Sequence, residues 1–145
     1  MLKTYLLFMS NENILRDFLE NVWNKKDYSK VEQYVYPAYT IHIDTGDPWE
    51  GKTIGLEEFK VRLHYSFDSF PDMHFHVQSV ISDGNYVAVS WLMTGTNLGE
   101  IGGFPATRRS IKTHGATIYH FNNGLVCGHS QVFDRTTVMK QLGFL

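Results

Sequence analysis

One acidic side chain, Asp134, lies at a junction where it could do chemistry. In VCGHSQVFDRTTVMKQLG the residues up to Phe133 alternate as in a strand, and those from Arg135 are typical of a short helix. A carboxylate that faces an apolar cavity becomes a stronger base, which suits proton abstraction next to a carbonyl. An aspartate at this position is also a good N-cap, worth about 1 kcal/mol to the helix. The sequence leaves both interpretations of Asp134 open.

The strand before Asp134 determines which side chains share its face. Side chains alternate across a strand, so Ser130 lies on the face of Asp134, and His129 and Gln131 lie on the opposite face. If Asp134 faces a cavity, Ser130 is therefore predicted to line that cavity too.

Seven histidines raise the question of a metal site. His74 and His76 share one strand face in MHFHV, and three others lie in separate strands, namely His42, His114 and His129. A metal site needs three or four converging ligands with further groups to orient them. MHFHV is more simply a strand with polar side chains facing outward, so we predict no metal.

The elements that must position these residues can be predicted from periodicity. Apolar residues recur at three- and four-residue spacing in the first part of the chain, and a period of two dominates after Pro71. Asn122-Asn123-Gly124 is a strong hairpin signal. The predicted helices are 11–24, 29–36, 55–68 and 135–142, and the predicted strands are 39–44, 73–82, 86–97, 109–121 and 125–133.

Helices followed by a meander of antiparallel strands predict an α+β fold, with helices on one face of a curved sheet. Such an arrangement leaves a concavity in which a small molecule can bind. Trp23 on the first helix and Trp91 on a strand are predicted to be core or cavity wall. His42 points opposite to its neighbours Ile41 and Ile43 and could line the pocket or face outward.

Composition excludes several classes of protein. At 43% hydrophobic residues the 145-residue chain can build one real core, and a net charge of −2 with scattered basic residues argues against a nucleic-acid partner. A lone cysteine, Cys127, rules out an internal disulfide and favours a buried thiol in a reducing, cytoplasmic compartment. No apolar run approaches the roughly 20 residues of a membrane span.

The beginning of the chain is predicted to be an extension of one domain. Met9-Ser10-Asn11-Glu12 resembles an ordinary start, so residues 1–10 are interpreted as an N-terminal extension and residues 11–145 as a single domain. We expect residues 1–8 to pack on their own domain or on a partner subunit.

Several segments together resemble a known family. They include FPDMHFHVQSVISDGNYVAVSWLMTGTNLGEIGGFPAT and IYHFNNGLVCGHSQVFDRTTVMKQLG, and the likeness extends over about residues 12–143. The chain is similar to the SnoaL-like polyketide cyclases of the nuclear transport factor 2-like superfamily. The best-matched pieces are Phe70-Pro71-Asp72, Val87-Ala88-Val89 with Trp91, Thr94-Gly95-Thr96, and the ending Asp134 with Gln141-Leu142-Gly143.

The resemblance implies a cone-shaped α+β fold with N-terminal helices on a strongly curved, mostly antiparallel sheet and a short C-terminal helix. It also implies a homodimer with a hydrophobic cavity, no cofactor and no metal. The family's characterised enzymes close a ring by intramolecular aldol condensation, with an acid at the end of the last long strand and a polar partner on the preceding strand. These positions match Asp134 and His120. Hairpin pairing places His120 opposite about Val126, so only reach, twist or a bulge near Gly128 would bring the two together.

The chain departs from the family pattern at positions that bear on the ligand. Asn97 stands where the pattern has a histidine, and Ser130 stands where it has a tryptophan, which leaves extra room in the predicted pocket. Phe104, in the Gly/Pro-rich loop 99–107, completes the candidate ligand contacts with His42, Trp23 and Trp91.

Three functions follow from the resemblance as expectations. The first is a cofactor-independent enzyme or ligand-binding protein that acts on a small apolar or aromatic, carbonyl-containing molecule through Asp134 and His120. The second is a non-catalytic binding or interaction module. The third is a hydratase, dehydratase or isomerase of the same superfamily, because fold alone does not determine function.

Overall fold

The first helix of the described residues forms where the apolar periodicity predicts it. The computed structural model describes residues 9–145, so the expected packing of residues 1–8 lies outside the described residues. Helix α1 (Asn11–Phe18) continues as a π-helical turn at Leu19–Asn24, which together confirm the predicted helix 11–24. Ser10 caps α1, since its Oγ accepts a hydrogen bond from the Asn13 N–H at 3.2 Å.

The second predicted helix is shorter than expected. A 3₁₀ turn (Tyr28–Lys30) and helix α2 (Val31–Tyr34) occupy its place, and strand β1 (Val35–Ile41) begins directly afterwards. Pro37, expected to stop the helix, lies inside β1. A proline is tolerated there because the neighbouring strand β2 (Thr53–Ile54) is only two residues long and pairs with Tyr39 and Thr40, leaving Pro37 without a partner on that side.

Six strands form one sheet in the order β2-β1-β6-β5-β4-β3. The four long strands are β3 (His74–Asp83), β4 (Tyr86–Thr96), β5 (Ser110–Asn122) and β6 (Leu125–Phe133), which confirm the predicted meander to within one residue. Among residues 9–145 the only parallel pair of strands is β1 with β6. Asn123 and Gly124 have φ values of 49° and 78°, as an Asn-Gly hairpin turn requires.

A bulge in β6 controls which of its side chains face the helices. His120 pairs with Gly128 and Phe121 pairs with Val126, so Cys127 has no partner residue on β5. As a result both Val126 and His129 are buried on the inner face of the sheet, at 0% and 3% exposure, although they are three residues apart.

Two further helices complete the described part of the fold. Helix α3 (Leu56–Ser69) packs near β1, and helix α4 (Arg135–Leu142) packs near β5. The predicted α+β fold, with helices on a mixed sheet and a short C-terminal helix, is thereby confirmed. Within residues 9–145 no helix is long and apolar enough to cross a membrane.

Gly115 on β5 is needed for the packing of Trp91. A Cβ at Gly115 would overlap the Trp91 ring and lie 2.7 Å from the Cβ of Phe133. We expect Gly115→Ala to lower the free energy of unfolding by about 1–3 kcal/mol, because an added methyl group forces a packed core apart. Gly95→Ala on β4 is the matched control, since its Cβ would make an ordinary 3.4 Å contact with Phe70. Urea unfolding measures both, and equal effects would contradict this interpretation.

Candidate active site

A cavity of about 390 Å³ lies between the helices and the inner face of the sheet. Most of its wall is apolar and aromatic, and its polar side chains come from the segment after β1, from α3, and from the ends of β6 and α4. The lining includes Trp23, Tyr39, Asp44, Asp47, Arg62, Phe70, Met73, Phe75, Trp91, Met93, Tyr119, His129, Gln131, Phe133, Arg135 and Met139. An apolar cavity with a few convergent polar groups is the usual form of a small-molecule site.

Asp44 is the carboxylate at the polar end of this cavity. Its side chain is only 2% exposed, and its Oδ2 accepts from Arg62 Nη2 at 3.1 Å and from His129 Nε2 at 2.9 Å. Its Oδ1 has longer contacts, 3.3 Å to Arg135 Nη2 and 3.4 Å to Gln131 Nε2. A buried charge of this kind persists only where it is paired and hydrogen-bonded.

The local chain turns Asp44 inward just after β1 ends at Ile41. His42 and Ile43 are exposed, whereas Asp44 is buried, so the strand alternation is broken at this point. The Asp47 N–H donates to the Asp44 carbonyl at 2.8 Å and closes a turn that contains Gly46 at φ 90°. The same turn brings Asp47 to Arg62, whose Nε lies 3.0 Å from Asp47 Oδ2.

His129 links Asp44 to Tyr39. Its Nε2 lies on Asp44, and its Nδ1 lies 2.7 Å from the Tyr39 hydroxyl. The Tyr39 hydroxyl donates to Nδ1 and Nε2–H donates to the carboxylate when the imidazole is neutral. Burial, the largest effect, lowers the pKa of His129 although the hydrogen bond to Asp44 opposes it. His129 is therefore a neutral group that orients Asp44 near pH 7.

A second chain of hydrogen bonds reaches Asp44 from the aromatic wall. Trp91 Nε1 donates to Thr117 Oγ1 at 2.9 Å, and Thr117 Oγ1 donates to Gln131 Oε1 at 2.9 Å. Accepting from Thr117 leaves the Gln131 amide nitrogen to face Asp44. Trp91 and Asp44 are thus held in a fixed relation across the cavity.

Two phenols near Asp44 remain protonated. Burial raises the pKa of Tyr39 and of Tyr119 well above the ordinary value of a phenol. Burial opposes the charge of Arg62, but the carboxylates of Asp47 and Asp44 outweigh it and raise the pKa of the guanidinium. The polar end of the cavity therefore combines a carboxylate with neutral and cationic donors.

The structure places Asp134 outside the cavity, which corrects the expectation that it faces inward. Its side chain is exposed, and its oxygens accept from the Thr137 N–H at 2.9 Å and the Thr137 hydroxyl at 2.5 Å. The Thr137 hydroxyl, as the largest effect, lowers the pKa of Asp134, which is the opposite of what a cavity would do. Asp134 is the N-cap of α4.

His120 and His42 also lie away from the cavity lining. Their rings stack on one another with centroids 4.6 Å apart, and the ring of Tyr86 packs on His120. Burial is the largest effect that lowers the pKa of His120, and the nearby imidazoles of His42 and His129 lower it further. Neither histidine is brought to Asp134, so the expected pair of Asp134 and His120 is not formed.

Three further candidate ligand contacts, Ser130, Phe104 and Asn97, are not part of the cavity lining. Ser130 lies on the outer face of the sheet beside Ile43 and Val132. Phe104 is 50% exposed and its ring contacts Phe144 with centroids 4.7 Å apart.

Asn97, the third of these candidates, has a structural position. It is fully buried, and its amide nitrogen donates to the carbonyl oxygens of Ser69 and Gly99 at 3.3 and 2.8 Å. Its amide oxygen accepts from the Thr107 N–H at 2.8 Å. Asn97 therefore ties the loop 98–108 to the end of α3 instead of meeting a ligand.

Trp23 and Trp91 line the cavity, and their contact with a ligand stays a prediction. Trp23 packs edge-on against Phe67 and Phe75, each with centroids 5.6 Å apart. Phe75 in turn packs edge-on against Trp91 at 5.0 Å. The two indoles thus form one aromatic wall, suited to a flat apolar guest.

Histidines 74 and 76 pack against each other on β3, with ring centroids 4.5 Å apart. Their neighbours supply no third ligand, and in the described part of the chain no group of three or more histidine, cysteine or carboxylate side chains converges on one point.

Sequence reasoning missed Asp44, His129 and Arg62, although one signal pointed to them. Arg62 lies on the apolar stripe of α3, between Phe59 and Leu63, and is 6% exposed. An arginine on the buried face of a helix needs a buried carboxylate as its partner. A search for that partner leads to the aspartates of the loop after β1.

Fold and site together define a class of protein. It is a sheet covered by helices on one face, with an apolar cavity closed at one end by a carboxylate, an imidazole and phenols. The family model of SnoaL-like polyketide cyclases matches residues 13–142. The chain belongs to this family. No curated protein matches the chain at a significant level.

Solved structures with the same fold support this assignment. One is a candidate polyketide cyclase from Acidithiobacillus ferrooxidans, 38% identical, with 93% of this chain and 96% of that chain covered and a TM-score of 0.85. A SnoaL-like polyketide cyclase from Agrobacterium tumefaciens is 18% identical over 94% of this chain and all of that one, with a TM-score of 0.77. TsrD from Streptomyces laurentii is 20% identical over 92% and 94% of the two chains, with the same TM-score. The last two show likeness in fold alone.

Proposed function

We propose that this protein binds a small apolar or aromatic molecule that contains a carbonyl group, and that Asp44 moves a proton to and from it. The proposal replaces Asp134 by Asp44 and His120 by His129. The observation that carries it is the 2% exposed carboxylate of Asp44 at the end of an aromatic cavity. Membership of the SnoaL-like polyketide cyclase family supports a polyketide-like compound as the molecule on which the protein acts.

The proposed step is abstraction of a proton from the carbon next to the carbonyl. Asp44 Oδ1 is the acceptor, because its contacts are longer than those of Oδ2 and can be displaced by a ligand. The C–H electron pair moves into the C–C bond and the carbonyl electrons move onto oxygen, which gives an enolate. The neutral Tyr119 hydroxyl, whose pKa burial raises, is the proposed donor to that oxygen.

The fate of the enolate distinguishes the possible enzymes. Attack of its carbon on a second carbonyl of the same molecule closes a ring by an aldol reaction, and the proton on Asp44 passes to the alkoxide that forms. Return of the proton from Asp44 to another carbon gives an isomerisation. Transfer of that proton to a β-hydroxyl group, which leaves as water, gives a dehydration. All of these reactions need the same first step at Asp44 and no further reactant.

A non-catalytic binding protein is the alternative, and one observation favours it. Both oxygens of Asp44 already accept hydrogen bonds from protein donors. If a ligand does not displace Arg135 or Gln131 from Oδ1, Asp44 only stabilises the fold, and the cavity binds its ligand without catalysing a reaction.

Deuterium exchange into 2-tetralone tests the proposal, because this aromatic ketone has acidic C–H groups next to its carbonyl. We expect the wild-type protein to accelerate the loss of these proton signals in D₂O, followed by proton NMR. Saturable binding without acceleration would support the storage function instead. Neither binding nor acceleration would oppose the whole proposal.

We also propose that the protein is a homodimer joined through the outer face of its sheet. The central patch of this face contains no charged side chain, and four of its apolar side chains are strongly exposed: Ile43 57%, Ile81 72%, Ile118 46% and Val132 68%. Two copies can meet there about a twofold axis without opposing charges. Since this surface lies opposite the cavity, the dimer leaves the site accessible.

Light scattering coupled to gel filtration tests the dimer. Val132→Lys places two like charges in a twofold contact, so we expect the particle mass to fall from two chains to one. Val61→Lys is the matched control, because Val61 is 56% exposed on α3. A wild-type protein with the mass of one chain would contradict the proposal.

A cytoplasmic location belongs to the same proposal. Its support is the free thiol of Cys127, whose pKa burial raises and which lies in a strand without a second cysteine to pair with. A reducing compartment keeps such a thiol intact.

A further inference from the structure

Arg135 occupies a position from which it can meet a bound molecule. It is the first residue of α4, it lines the cavity, and its side chain is 43% exposed. Its guanidinium lies over the ring of Phe133, with the central carbon 4.2 Å from the ring centroid. Stacking on an aromatic ring holds the guanidinium in one plane while its edge stays open to other partners.

The hydrogen-bond donors of Arg135 are little used. Of its five N–H groups, one makes a hydrogen bond within the described part of the chain, from Nη2 to Asp44 Oδ1 at 3.3 Å. The other arginine at this end of the cavity, Arg62, is more buried and makes more contacts. It is 6% exposed, and its Nε and Nη2 contact Asp44 and Asp47 at 2.9–3.1 Å. Asp44 is therefore already paired without Arg135.

Gly46 keeps the space beside Arg135 open. A Cβ on Gly46 would lie 3.1 Å from Arg135 Nη1, and the φ of 90° at Gly46 disfavours any other residue. Gly46 and Arg135 both line the cavity, so the edge of the guanidinium that carries Nη1 faces a position without a Cβ.

We propose that Arg135 binds a carboxylate of the substrate, so that the substrate class is an aromatic or apolar carboxylic acid with a carbonyl group. The inference rests on the proposed function of the cavity and narrows it. A guanidinium binds a carboxylate through two parallel N–H bonds, a geometry that a neutral ester or amide reproduces poorly. Phe133 supports the guanidinium and the aromatic wall holds the rest of the molecule.

Binding of the acid also affects Asp44. When the substrate carboxylate takes the Nη2 donor of Arg135, Oδ1 of Asp44 loses its contact at 3.3 Å. Oδ2 keeps the shorter contacts to Arg62 and His129. Oδ1 then keeps only the 3.4 Å contact to Gln131 Nε2, so occupation of the Arg135 site makes this oxygen more accessible as the proton acceptor.

Two probes of nearly equal shape test the inference, 2-naphthoate and 2-naphthamide, in which an NH₂ group replaces one charged carboxylate oxygen. Their binding is followed by titration calorimetry with wild-type protein and with Arg135→Gln. We expect wild-type protein to bind the acid about 10-fold to 100-fold more tightly than the amide, as a charged hydrogen-bond pair implies. Arg135→Gln is expected to lose that preference and to bind the amide as wild type does. Arg16→Gln, with its side chain 47% exposed on α1, is the matched control.

The outcomes separate this inference from the proposed function. Equal binding of acid and amide by wild-type protein, or an unchanged preference in Arg135→Gln, would overturn the role of Arg135 and leave the cavity as a binding site. Binding of neither probe by wild-type protein would overturn both.

Discussion

Asp44→Asn is expected to slow protein-catalysed deuterium incorporation into 2-tetralone by about 10²-fold to 10⁴-fold, the usual contribution of a general base. The amide has the shape of the carboxylate, so the cavity is kept, but it is a far weaker proton acceptor. Proton NMR in D₂O gives the rate from the loss of the C–H signals. Circular dichroism and urea unfolding of the variant establish that the loss is not caused by unfolding.

Asp134→Asn is the matched control for this experiment. Asparagine caps a helix about as well as aspartate, so stability changes little, and the site is exposed outside the cavity. We expect its exchange rate to equal that of the wild type. A rate loss in Asp134→Asn with full activity in Asp44→Asn would reverse our assignment.

The pH profile of exchange reports on His129. Burial lowers the pKa of His129 below its ordinary value of 6.5, so the neutral imidazole predominates near pH 7 and above. We expect the rate to be constant there and to fall at lower pH, where a protonated His129 binds Asp44 as a cation. His129→Gln removes this titration, so the acid side of the profile is expected to move. An unchanged profile would argue against a positioning role for His129.

Periodicity was sufficient to predict the four long strands and the helices α1, α3 and α4, because burial of one face determines both. The strand alternation of β4 and β5 and the apolar stripe of α1 each reflect a face that packs on the core. The Asn-Gly turn determined the position of the hairpin, since few other sequences accept two positive φ angles. The predicted register was wrong, because His120 pairs with Gly128 and not with Val126. The two-residue strand β2 was missed because its pattern is too short to be periodic.

The face of β6 that lines the cavity was assigned wrongly, and the bulge explains the error. Strict alternation from the buried Val126 carries the inner face to Ser130 and Asp134. The bulge at Cys127 moves it by one residue, so that His129, Gln131 and Phe133 face the cavity instead. A shift of one residue transfers every following side chain to the other face.

Asp44 was missed for a similar reason. The segment after Ile41 was interpreted as strand up to Asp44, which places Ile43 inside with Ile41. In the structure β1 ends at Ile41, and the turn around Gly46 brings in Asp44 while Ile43 becomes 57% exposed. The long-range contacts of Asp44 with Arg62 and His129 stabilise this arrangement. Strand periodicity does not indicate such contacts, and the buried position of Arg62 was the one signal for them.

Arg62→Met is expected to lower the free energy of unfolding by about 3–5 kcal/mol, because it leaves buried carboxylates without their cation. Arg62 is 6% exposed and bonds both Asp44 and Asp47. These two pairs are the most buried ion pairs of residues 9–145. Methionine has a similar length and an apolar stem, so the change removes charge with little change in volume. Urea unfolding followed by intrinsic tryptophan fluorescence measures the loss.

A double-mutant cycle of Arg62→Met and Asp44→Asn distinguishes the loss of the charge pair from the loss of side-chain packing. If the loss in Arg62→Met comes from the uncompensated carboxylate, adding Asp44→Asn must cost less in that background than in the wild type, by about 0.5–3 kcal/mol. Arg16→Met is the surface control, since the 47% exposed Arg16 pairs with Glu12 at 3.3 Å and such pairs contribute about 1 kcal/mol or less. Additive effects of Arg62→Met and Asp44→Asn would show that the two side chains pack independently. The carboxylate at the end of the cavity would then not depend on the helix behind it.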